Sequence, residues 1–94
     1  MPSLRTRLRR LLGTNYQAFN DRMQVQTPME KDEETFVMRG CMLHLCTIDA
    51  SILVIDVNDG TPYVALKFDG KFRPIFAADK SRIPASLRRT MNAP

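Results

Sequence analysis

The chain has no tryptophan, one histidine, two cysteines and only four glycines among its 94 residues. Each scarcity removes a class of function. The lone histidine, His44, is the one partner available to a nucleophile, and Cys46 beside it lacks a third, orienting group and a nucleophile elbow. Gly13, Gly40, Gly60 and Gly70 are isolated, so no glycine-rich phosphate loop exists. Asp49 and Asp56 fit loop-edge and sheet-face positions better than a catalytic carboxylate pair. The chain therefore reads as non-enzymatic, with no catalytic residue and no cofactor.

The cysteines are equally restrictive. Cys41, His44 and Cys46 offer three metal ligands where zinc needs four, and on a strand Cys41 points away from the other two. The expectation is two buried thiols and a partly buried histidine on an apolar strand, with no metal. Two cysteines are also fewer than the disulfide framework of a small secreted protein. The longest apolar stretch, residues 52–55, is far short of the ~20 residues that span a bilayer. No apolar leader precedes it. These points favour an intracellular setting, in cytoplasm or in a virion and its host cell. The first twenty residues, acid-free with arginines and hydroxyls, also have the composition of a mitochondrial presequence.

What is present is a folded composition, 44% hydrophobic, with segregated charge. Residues 1–12 hold Arg5, Arg7, Arg9 and Arg10 and no acid. Residues 80–94 hold Lys80, Arg82, Arg88 and Arg89 and no acid. All ten acidic residues lie between them.

The length suits a single domain, 1–94. Residues 1–27 form a basic helical arm and connector, 35–76 an antiparallel sheet, and 80–94 a basic helix and tail. Ser3 caps a short helix over residues 3–12, with Leu4, Leu8, Leu11 and Leu12 on one face and Gly13 as its stop. Tyr16, Phe19 and Met23 suggest a second helical piece before Pro28, and residues 30–34 an exposed acidic loop. Strands are expected at 35–38, 41–48, 51–57, 62–68 and 71–76, with two Asp-Gly turns as hairpin signals. In the last hairpin a three-residue loop pairing Leu66 with Phe72 is preferred, because it separates Val64, Leu66, Phe72 and Phe76 from Lys67, Lys71 and Arg73. Pro74 marks that strand as a sheet edge. Residues 84–91 suit a final helix, with Ile83, Leu87 and Met91 in register.

The fold class is α+β, a β-rich meander of four or five strands with short terminal helices. Strand 51–57 is apolar on both faces, which calls for closure into a small barrel or pairing into a dimeric sheet. Leu53, Ile55 and Val57 are the expected self-association surface of a homo-oligomer.

Function follows from the basic ends. Arg5, Arg7, Arg9, Arg10, Lys71, Arg73, Arg82, Arg88 and Arg89 are the expected contacts to nucleic-acid phosphates, since guanidinium forks suit phosphate oxygens. Lys67 is an additional candidate. The amphipathic residues 3–12 are suited to weak contact with an anionic membrane. The alternative, from another class, is a protein-interaction module or small inhibitor of the phage or viral accessory type. It would hold a protein partner by its sheet edge or apolar sheet face.

Overall fold

The computed structural model describes residues 3–92, apart from the side chains of Arg73 and Pro74. Helix α1 spans Leu4–Leu12, with the Ser3 hydroxyl accepting from the Thr6 amide at 3.2 Å. Gly13, at φ 56°, ends it in a conformation that costs glycine nothing. A 3-10 turn, Gly13–Asn15, leads into α2, Tyr16–Asp21. The strands are β1 Val25–Gln26, β2 Glu30–Asp32, β3 Thr35–Cys41, β4 Ala50–Asp56, β5 Pro62–Phe68 and β6 Lys71–Phe76. A second 3-10 turn, Lys80–Arg82, precedes α3, Ala85–Asn92.

These strands make one open antiparallel sheet in the order β1-β3-β4-β5-β6, with β2 also pairing along β3. The α+β fold with short terminal helices is as the pattern implied, without closure into a barrel. Residues 30–34 differ from the expected loop. Glu30, Lys31 and Asp32 pair with Val37, Phe36 and Thr35, extending the sheet by a short edge.

Both faces of the sheet are covered by the chain's own helices. Leu53, Val64 and Leu66 meet Leu8, Leu12, Phe19 and Met23 on one face. Ile52, Val54, Tyr63 and Ala65 meet Leu87 on the other, with Ile83 and Met91 at its margin. Buried leucines and valines of this kind each contribute about 1.5–3 kcal/mol. The two-faced apolar strand thus has cover without a second copy. Leu53 is 5% exposed, Ile55 is half-buried, and Val57, just past β4, is exposed. The leucine face of α1 is spent in the same way, since Leu8 and Leu12 are buried. That part of the helix face packs on the sheet rather than on a membrane, and the segment 4–20 gives Leu8, Leu12 and Phe19 to the core.

The β5–β6 hairpin departs from the preferred register. Lys67 pairs with Phe72 and Phe68 with Lys71, so the turn is the two-residue Asp69-Gly70, at φ 52° and 85°. That is the type I′ geometry whose twist matches the strands it joins. Beyond it the register shifts, and Ala65 pairs with Ile75 and Val64 with Phe76. Leu66 therefore stands opposite both Arg73 and Pro74, a bulge where a proline without a donor costs no ladder bond. The consequence is that Phe72 shares the α3 face with Lys67, whose Nζ lies 5.1 Å from its ring centroid, rather than the face of Leu66.

Candidate functional site

Past Cys41, the expected strand 41–48 does not form. The β3 ladder ends at Cys41, and the chain turns through a loop before β4 begins at Ala50. Cys41 and Cys46 are joined by a disulfide, their Cα atoms 4.8 Å apart. Five residues of strand would separate those atoms by about 16 Å, so the bond and the strand exclude each other. The expectation of two buried free thiols is corrected with the strand.

Backbone hydrogen bonds shape the loop from within. The Leu45 amide donates to the Met42 carbonyl at 2.9 Å, and the Ile48 and Asp49 amides donate to the Leu45 carbonyl at 2.9 and 2.8 Å. At the stem, the Met42 amide donates to the Asp49 carbonyl at 3.0 Å. The first turn, residues 42–45, places His44 at its third position with φ 67°. A left-handed residue there defines a type II turn, a site that glycine normally fills. For a residue with a Cβ the conformation costs about 1–2 kcal/mol. His44 is exposed, and the neighbouring Leu43 is 59% exposed, the highest among the exposed large hydrophobic residues. A narrow, covalently closed finger therefore holds an imidazole and an apolar side chain out from the sheet.

The basic residues are distributed quite differently. Arg5, Arg7, Arg9 and Arg10 ride on α1 over one face of the sheet, while Arg88 and Arg89 ride on α3 over the other. The sheet stands between the two sets. Arg7 donates through Nη1 to the Gly60 carbonyl at 2.8 Å and the Asp59 carbonyl at 3.2 Å, which ties α1 to the β4–β5 turn. The Arg9 guanidinium lies 4.9 Å from the Tyr16 ring centroid. Arg89 pairs with Asp32 at 2.8 Å and Glu33 at 3.3 Å, and the hydrogen bond to Asp32 raises its pKa further above the arginine range. Arg5, Arg10, Lys71, Arg82 and Arg88 are exposed, and the Arg73 side chain lies outside the described residues.

The sheet and its loop invite comparison with known proteins. A family model described as "Inhibitor of vertebrate lysozyme (Ivy)" matches residues 3–93. The chain belongs to the Ivy family. No match was found among curated proteins or among solved structures. Membership of Ivy overturns the nucleic-acid reading, since the family is described by inhibition of an enzyme. It supports the alternative, a protein that holds a protein partner. The intracellular placement is corrected as well, because an inhibitor of a vertebrate lysozyme meets its target outside the cytoplasm. A disulfide suits that oxidising setting. The sparse cysteine count misled because this fold builds its core from two helix-covered sheet faces, leaving its one disulfide to close a loop.

Sequence reasoning singled out Cys41, His44 and Cys46 but dismissed them as strand residues. The signal against the strand was local. Met42, Leu43, His44 and Leu45 include no β-branched or large aromatic residue, the types that favour strands. Arg22 was missed entirely. Among the described residues it is the one buried charged residue, and it reaches the loop stem, pairing with Asp49 at 2.9 Å.

Proposed function

We propose that this chain inhibits a lysozyme by seating the loop Cys41–Cys46 in the enzyme's catalytic cleft, with His44 facing its carboxyl groups. The observation that carries this reading is the exposed His44, held left-handed in a turn inside a disulfide-closed ring. Lysozymes cleave glycosidic bonds with a pair of carboxyl groups, one protonated and one ionised. An imidazole can donate from a ring nitrogen to a carboxylate and, when neutral, accept from a carboxylic acid with the other. It therefore complements both members of the pair. Leu43 supplies an apolar contact beside it, and a cleft that excludes water strengthens each hydrogen bond made inside it.

Left-handed backbone also occurs at the turn residues Glu33 and Asp69; at His44 it lies inside a disulfide-closed ring and presents an exposed imidazole. The ring also limits the conformations lost on binding, so less affinity is spent on ordering the loop.

The test is a lysis assay with peptidoglycan and a vertebrate lysozyme, alongside calorimetric titration of the two proteins. The wild-type chain should inhibit, and His44→Ala should weaken inhibition by more than tenfold with the fold intact by circular dichroism. Absence of inhibition by the wild-type chain would refute the activity. Equal inhibition by His44→Ala would move the contact away from the loop.

A further inference from the structure

We infer that Arg22 is a positioning residue for the inhibitory loop, holding its stem so that His44 projects in one direction. The inference rests on the loop reading above and adds a residue distant in sequence from the loop. Arg22 follows α2 directly and is 9% exposed. Its guanidinium makes three directed contacts to three different elements. Nη1 donates to the Ala18 carbonyl of α2 at 3.1 Å, Nε to the Lys67 carbonyl of β5 at 3.0 Å, and Nη2 to Asp49 Oδ1 at 2.9 Å. The face of the group lies 4.2 Å from the Phe68 ring centroid.

Asp49 is the last residue of the loop before β4, and its carbonyl accepts from Met42 at the opposite side of the stem. The clamp therefore acts on the point from which the loop departs. Its surroundings reinforce it. The Gln24 side chain accepts from the Leu43 amide at 3.2 Å, and Ser51 Oγ donates to the Arg22 carbonyl at 3.1 Å. The Gly70 amide donates to the Ile48 carbonyl at 2.9 Å, fixing the far side of the loop to the β5–β6 turn. The segment bearing Arg22 lies so close to β3 that a Cβ on Gly40 would collide with Met23 Sδ and come within 2.7 Å of the Arg22 carbonyl oxygen.

A buried ion pair is a poor way to gain stability, since desolvation of both charges offsets their attraction and an apolar pair often does as well. What a guanidinium supplies that an apolar side chain does not is direction. Its planar fork fixes several partners at once in one geometry. Placed at the stem of a loop that must enter a cleft, that property orients the apex.

The experiment is a double-mutant cycle between two residues in separate parts of the chain. Affinity for lysozyme is measured for wild type, Arg22→Met, His44→Ala and the double variant, with Asp49→Asn as a second way to break the clamp. Hydrogen exchange of the free protein is read in parallel. Arg22→Met should weaken binding roughly tenfold by loss of preorganisation, and should add little once His44 is gone. The Met42, Leu45 and Ile48 amides should exchange at least tenfold faster, with Val54 and Val64 in the core unchanged. Additive losses, or a variant binding as tightly as wild type, would overturn the positioning role. Should His44→Ala itself bind normally, the loop reading fails, and exchange alone then decides whether Arg22 orders the loop. Unchanged exchange in both Arg22→Met and Asp49→Asn would end the proposal.

Discussion

Ser86 Oγ donates a hydrogen bond to Thr35 Oγ1 across 2.7 Å in the seam between α3 and β3. The direction is set by Thr35, whose single hydroxyl hydrogen goes to the Asp32 carbonyl at 2.7 Å. Both residues are buried, and among the described residues no buried side-chain nitrogen or oxygen lacks a partner.

Thr35→Val should therefore cost more than Ser86→Ala. Valine removes the acceptor for Ser86 and the donor for Asp32, leaving a buried hydroxyl unpaired, at about 1–3 kcal/mol. Ser86→Ala leaves the Thr35 donation intact and should cost about 1 kcal/mol. Urea denaturation measures both. Neither substitution should alter inhibition, since the seam serves α3 and not the loop.

His44 makes the opposite trade. His44→Gly removes the imidazole and relieves about 1–2 kcal/mol of left-handed strain. The greater freedom of glycine in the unfolded chain offsets about 0.5–1 kcal/mol of that gain. The variant should unfold at the same temperature as wild type or slightly above it, and should lose inhibition. A fall of several degrees in a calorimetric scan would mean that the imidazole is held by packing rather than displayed.

Cys41→Ser with Cys46→Ser opens the ring. For so short a loop the chain-entropy estimate is about 2 kcal/mol of stability. Binding should weaken as well, because the free loop must be ordered on docking. Titration of reduced and oxidised protein against lysozyme checks this without mutation. Identical affinities would show that the ring does not set the loop's shape.

Gly40→Ala tests the contact between β3 and the segment carrying Arg22. With Met23 Sδ and the Arg22 carbonyl in the way, the added methyl forces a shift that costs about 1–3 kcal/mol. The displaced segment should carry Arg22 away from Asp49, so inhibition should fall together with stability. Gly13→Ala, where nothing lies within 4 Å but φ is 56°, should destabilise without touching inhibition.

Much of the architecture was written locally. Ser3 and Gly13 bound α1 because a hydroxyl can cap an amide and a glycine can turn left-handed. Strands β5 and β6 coincide with the runs read from alternation and Asp-Gly punctuation, and Ile83, Leu87 and Met91 face the core as their spacing required. The Phe72 face was not legible, because the bulge opposite Leu66 changes the register part-way along β6.

Charge misled for a related reason. Clustering of arginines at both chain ends is a property of sequence, whereas their separation by the sheet is a property of the fold. The same limit hid the site. Covalent chemistry between Cys41 and Cys46 overrode what periodicity implied for residues 41–48, turning an apparent strand into an exposed ring. Local propensity and hydrophobic period act over a few neighbours, so they suffice for helices, turns and the core faces of regular strands. The disulfide, the bulge and the Arg22–Asp49 clamp depend on groups brought together in space, and these decided where His44 stands.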